Sequence, residues 1–121
     1  MDSPESALLR ECARLILATP ASVIAQIWTV QERVRLDGSI HGIQPAACDV
    51  LARAIERDPR MREALNELLI QGASLFAFSF LAALDGATML ADTNVYVLSD
   101  RDSGKELAGG LHERLFEFLP D

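Results

Sequence analysis

A chain of 121 residues, half of them hydrophobic, is long enough for one domain with a core of its own and too short for two ordinary ones. Eighteen carboxylates against eleven cations give a net charge of −7, a surface that repels phosphate backbones and so argues against nucleic-acid binding. The N-terminal Met-Asp-Ser-Pro-Glu-Ser has neither a basic stretch nor an apolar run, so no signal peptide is expected. Cys12 and Cys48, both beside apolar neighbours, are expected to be free thiols in a reducing, cytoplasmic setting. The expectation is a single domain spanning 1–121.

The prolines punctuate helices. Ser3-Pro4, Thr19-Pro20, Gln44-Pro45 and Asp58-Pro59 each put proline at an expected first helical position, where its missing N–H is no loss. Ser3, Thr19 and Asp58 supply side-chain oxygens that can cap the free amides of a first turn. Residues 4–18 carry the stripe Leu8, Leu9, Cys12, Leu15 and Ile16. Residues 20–36 carry Val23, Ile27, Val30 and Val34, widened by Ile24 and Trp28. Leu36-Asp37-Gly38 reads as a helix end, and residues 39–43 as a loop holding His41. Residues 45–57 show a clean stripe of Ala47, Val50, Leu51, Ala54 and Ile55.

The next helix starts near Pro59 and is amphipathic at first, through Met61, Leu65, Leu68 and Leu69. No charge occurs from 68 to 84. A helix apolar on every side usually runs through the middle of a core, which is the expectation for this one. A membrane span is disfavoured because Gln71, Gly72, Ser74 and Ser79 interrupt the run and no tryptophan or tyrosine flanks it. Gln71-Gly72 is a candidate kink or break. Leu84-Asp85-Gly86 repeats the helix-stop pattern. Beyond it, Asn94-Val95-Tyr96-Val97-Leu98 is β-rich, 101–105 is a good turn, and Lys105-Glu106-Leu107-Ala108 forms the expected return strand of a hairpin, with Thr88-Met89-Leu90 as a possible third. Gly109-Gly110 opens a last helix with Leu111, Leu115, Phe118 and Leu119 on one side, stopped by Pro120. The expected fold is therefore α+β and predominantly α-helical: four to five helices around a central apolar helix, with a small C-terminal antiparallel β-hairpin.

No catalytic, nucleotide or metal motif stands out. Asp100-Arg-Asp102-Ser-Gly104 opens like a calcium loop, but glycine falls at the fifth position, lysine at the sixth and leucine at the twelfth, so the pattern fails. His41 and His112 have no ligand at zinc spacing and suit surface or capping roles. Glu63 and Glu67 sit one turn apart, as on any solvated helix face. No cofactor and no catalytic residue are expected.

Charge is the feature left over. Residues 1–84 hold ten acids against eight arginines, whereas 85–121 hold eight acids against three cations. Complementary charge steers a basic partner to such a surface. The candidate binding residues are accordingly Asp92, Asp100, Asp102, Glu106, Glu113 and Glu117. In shortness, acidity and want of a catalytic motif the chain resembles the small acidic bacterial proteins that neutralise toxins by binding them. That resemblance implies an immunity protein or antitoxin with a basic partner, a cognate toxin, and no role for nucleic acid or membrane. Two alternatives remain at this stage. One is a small-molecule binder or enzyme with an apolar pocket near Phe76 and Phe80; the other is a homodimeric module with close helix contact at Ala73 and Ala77.

Overall fold

In a computed structural model of the chain, the described residues are 3–28, 44–86 and 96–120. They are 76% helical. In chain order they form α1 (Pro4–Ala25), a 3₁₀ turn (Gln26–Trp28), α2 (Pro45–Arg57), α3 (Arg60–Leu84), the single-turn α4 (Leu111–Arg114) and a closing 3₁₀ turn (Leu115–Phe118). Contacts divide the chain into a split unit, Met1–Leu17 with Gly72–Asp121, and a continuous unit, Ala18–Gln71.

The capping logic of the sequence holds at two of the four helix starts, those after Ser3 and Asp58. Ser3 Oγ accepts a hydrogen bond from the Ser6 amide at 3.2 Å, so Pro4 opens α1 as a capped first position. Gln44 is extended and gives α2 no side-chain cap; Pro45 begins the helix by its fixed φ alone. Asp58 has two tasks. Its amide donates to the Ala54 carbonyl at 3.1 Å and closes α2. Its carboxylate then accepts from the Arg60 amide at 3.1 Å and from the Arg60 guanidinium at 3.0 and 2.9 Å, opening α3. The Arg60 side chain holds the Asp58 carboxyl below its ordinary value, with the amide bond adding to the effect.

Three expectations fail. The first is the break at Thr19-Pro20: α1 runs through Pro20 to Ala25. Proline removes one helical hydrogen bond and crowds the carbonyl four residues back, at a cost of about 3 kcal/mol. The buried stripe explains why the helix persists. Leu9, Ala13, Ile16, Pro20, Ile24 and Ile27 follow one another at helical spacing without a gap, and Pro20 is itself buried in that stripe. Leu15, assigned to the stripe by sequence, instead faces out.

The second is the hairpin. Among the described residues there is no strand, only one antiparallel bridge between Ser99 and Glu106. The turn itself forms: the Gly104 amide donates to the Asp100 carbonyl at 2.7 Å, and the Asp100 amide to the Lys105 carbonyl at 2.8 Å. Gly104 takes a positive φ of 70°, which suits glycine. Pairing extends one step further, from the Leu107 amide to the Leu98 carbonyl at 2.8 Å, and then stops. The next amide, Ala108, donates to the Glu5 carboxylate at 2.8 Å, and Gly109-Gly110 turn the chain into α4. A returning limb this short cannot build a ladder. Asn94, Val95 and the third strand at 88–90 lie outside the described residues, as do Leu36-Asp37-Gly38 and the 39–43 loop.

The third is the central apolar helix. α3 is unbroken through Gln71-Gly72, but it is not enclosed. It is long and apolar enough to cross a membrane, and only 17% of its most apolar window is buried. Ser74, Leu81 and Ala82 point inward, whereas Leu75, Phe76 and Phe80 are exposed.

Each unit has its own buried residues. In the continuous unit Ile24, Ile27, Cys48 and Ile55 form a core flanked by Leu51, Ala52, Leu65 and Leu69. The Arg62 guanidinium lies 4.7 Å from the centre of the Trp28 ring, a cation–π contact. In the split unit the buried residues are Leu9, Ala13 and Ile16 of α1, Ser74, Leu81 and Ala82 of α3, and Leu111 and Leu115 after them. The two cysteines are not joined in a disulfide; Cys48 is buried and Cys12 half-buried, and burial pushes both thiols above the ordinary value.

Candidate functional site

α3 stops as its Leu84-Asp85-Gly86 sequence requires. The Asp85 amide donates to the Leu81 carbonyl at 2.8 Å, and Gly86 takes a φ of 78° that ends the helix. This leaves the Asp85 side chain beside α4. The residue before α4, Gly110, has no side chain to offer, so the first-turn amides of α4 need an acceptor from elsewhere. Asp85 supplies it: Oδ2 accepts from the His112 amide at 3.1 Å and from His112 Nδ1 at 2.6 Å. The second bond requires the proton on Nδ1. Both side chains are nearly buried, 7% and 13% exposed. The Phe78 ring meets the imidazole edge to face at 5.3 Å and stacks, tilted, on Phe116 at 5.5 Å.

A carboxylate that fixes an imidazole through Nδ1 is the arrangement that orients a general base. Here the Nε2 side meets the Glu113 carboxylate at 3.7 Å, and no contact described for it comes from a hydroxyl or thiol. The pair works as a joint that docks α4 against the end of α3. Two further bonds tie this segment to α1: Glu5 to Ala108, and the Arg114 guanidinium to Ser6 Oγ at 3.5 Å. The Ala108 amide holds the Glu5 carboxyl below its ordinary value.

The acidic candidates fall into two groups. Asp100, Asp102 and Glu106 share the bridged turn, Asp102 and Glu106 exposed and Asp100 half-buried. Asp100 is partly occupied by the turn itself: it accepts from the Ser103 amide at 3.0 Å, and Ser103 holds its carboxyl low, through its side chain first and its amide second. Arg101 and Lys105 stand in the same turn and reduce its net charge to −1. Glu113 and Glu117 are exposed, one turn apart on the closing helical segment. Asp92 lies outside the described residues. No group of His, Cys, Asp and Glu suited to a metal ion occurs among the described residues.

The Phe76/Phe80 pocket is not formed by these side chains. They stack on each other with centroids 6.4 Å apart and stand 73% and 56% exposed. Two clefts are lined by other residues. One, of about 380 Å³, lies in the continuous unit between Ala21, Ile24, Pro59, Arg62, Glu63 and Asn66. The other, of about 140 Å³, lies in the split unit between the C-terminal end of α3 and the 96–111 segment, with Asp85, Tyr96 and Glu106 in its wall. The smaller is well below the size of a ligand pocket, roughly 300 Å³ upward.

Sequence reasoning missed the pairing of Asp85 with His112, because the residues are 27 apart and each had a local explanation, a helix stop and a surface histidine. The available signal was the uncapped start at Gly109-Gly110. Comparison with family profiles, with curated proteins and with solved structures found no match for this chain.

Proposed function

We propose that this chain is a non-enzymatic binding domain for a basic protein, and that the split unit is the body on which the partner docks. The observation that carries the reading is the distribution of charge. The split unit holds eleven acids and five cations, a net of −6; the continuous unit holds seven and six, a net of −1. Asp102, Glu106, Glu113 and Glu117 are exposed on the split unit and available to a partner. Charge concentrated on one body accelerates encounter with an opposite surface and fixes its orientation, while apolar contacts supply most of the affinity. An immunity protein or antitoxin that blocks a basic toxin is the biological form this reading takes, consistent with the size and acidity of the chain.

The test compares two triple reversals against a basic protein captured from lysate of the source cells at low salt and then purified. Reversing Asp102, Glu113 and Glu117 to lysine should slow association by at least about tenfold. Reversing Glu56, Glu63 and Glu67, all on the continuous unit, should change it by less than about threefold. The wild-type on-rate should fall as ionic strength rises. Equal effects of the two reversals, or an on-rate indifferent to salt, would reject the reading.

A further inference from the structure

The face of α3 that looks outward is built from Gly72, Leu75, Phe76, Ser79 and Phe80, all exposed and spaced so that they fall on one side of the helix. We infer that this face is a self-association surface, covered by the same face of a second copy of the chain.

Three observations carry the inference. The first is Gly72. Glycine inside a helix costs about 1 kcal/mol relative to alanine. Folding does not require it here, because a Cβ at this position would meet no atom within 4 Å. A bare backbone on an exposed helix face permits the close approach of another backbone. The second is shape. Gly72 and Ser79 leave two shallow sites seven residues apart, two helical turns, and Leu75, Phe76 and Phe80 stand beside them as bulk to fill such sites. A two-fold contact needs a surface complementary to itself, and this face offers both knobs and holes.

The third is charge. The chain carries −7, so two copies repel wherever their carboxylates meet. No charged residue lies between 68 and 84, which makes this face a place where copies can touch without opposing ions. A basic partner would find no counter-charge on it. The exposures of Leu75, Phe76 and Phe80 are 52%, 73% and 56%. At roughly 200 Å² for a whole large side chain, they present about 350 Å² per copy. Two copies bury about twice that before the small residues and the rim are added. That area, about 700 Å², falls short of the roughly 1,000 Å² of a stable interface, which suits a weak, reversible dimer rather than an obligate one.

Sedimentation equilibrium on the full chain, from about 10 µM to about 1 mM, tests this. The mass should rise with concentration from 13.2 kDa towards twice that value. Added salt should favour the dimer by screening repulsion, opposite in sign to its effect on a basic partner, so the failure of one reading is separable from the failure of the other. Gly72→Leu should weaken association at least tenfold while its melting temperature holds or rises, because leucine is the better helix former. Phe76→Gln should weaken it similarly with an unchanged circular-dichroism spectrum. A 13.2 kDa mass at every concentration and salt would overturn the inference. So would unaltered association in both variants, or partition of the wild type onto phosphatidylcholine vesicles with no dimer in solution.

Discussion

Replacing Asp85 with alanine should be among the most damaging single changes to the split unit. One oxygen, Oδ2, accepts both the His112 amide and His112 Nδ1. The first bond is the cap of α4, since Gly110 provides none, and losing a cap costs about 0.5–2 kcal/mol. The second is a hydrogen bond to a carboxylate with both partners largely shielded from water, and bonds of that kind contribute about 1.5–3 kcal/mol. Removing Asp85 also removes the penalty of holding a carboxylate out of water, so the net loss should be about 2–4 kcal/mol. Urea denaturation followed by circular dichroism measures it, with Asp102→Ala as an exposed control expected to lie within about 0.5 kcal/mol of wild type. Asp85→Asn keeps an acceptor for the His112 amide and should recover about 1 kcal/mol of the loss. Asp85→Ala and His112→Ala share one contact, so the double variant should be less destabilised than the two singles added together. If Asp85→Ala behaves like Asp102→Ala, or if the two losses simply add, the joint between α3 and α4 is not what holds the segment.

Pro20→Ala restores one hydrogen bond within α1 and relieves the crowding of the Ile16 carbonyl, offset by lost burial and a freer unfolded chain; a net gain of about 1 kcal/mol in thermal or urea unfolding is expected. Glu5 ionises more readily folded than unfolded, so it adds stability above its ordinary value of 4.5 and loses that contribution as pH falls through its lower folded value. Glu5→Gln should therefore lower stability at neutral pH and converge with wild type in acid, which flattens the acid limb of a stability-against-pH curve below pH 4.5. Thermal melts with and without a chelator should coincide; a large fall on adding chelator would reveal a metal site. In native protein a disulfide reagent should modify half-buried Cys12 well before buried Cys48, and equal rates would contradict the packing around Cys48.

What the sequence revealed was largely what is decided within one turn of chain. Ser3, Asp58 and Gly86 act as the helix starts and stops that their residue types imply, because capping is a contact between near neighbours. Pro20 shows the limit of that logic: a local rule for ending a helix yields to a continuous buried stripe on both sides. The 96–108 segment shows another. Its turn was legible, but a ladder needs residues beyond the turn to find partners, and Ala108 finds Glu5 instead. The apolar run of α3 announced burial without saying against what, and two phenylalanines assigned to an interior pocket stand in the open. Contacts such as Asp85 with His112 leave no periodic trace, since neither residue type nor spacing along the chain encodes them.

The bond between Glu5 and Ala108 joins residues that lie, along the chain, before and after the whole of Ala18–Gln71. During synthesis Ala18–Gln71 is complete before any of its split neighbour's second segment exists, so residues 3–17 must wait with Leu9 and Ile16 unsheltered. At roughly 5–20 residues per second the delay lasts several seconds, long enough for an amphipathic helix to meet chaperones or other nascent chains. The fate of residues 3–17 is thus set by a segment made only after the whole of Ala18–Gln71 has been synthesised.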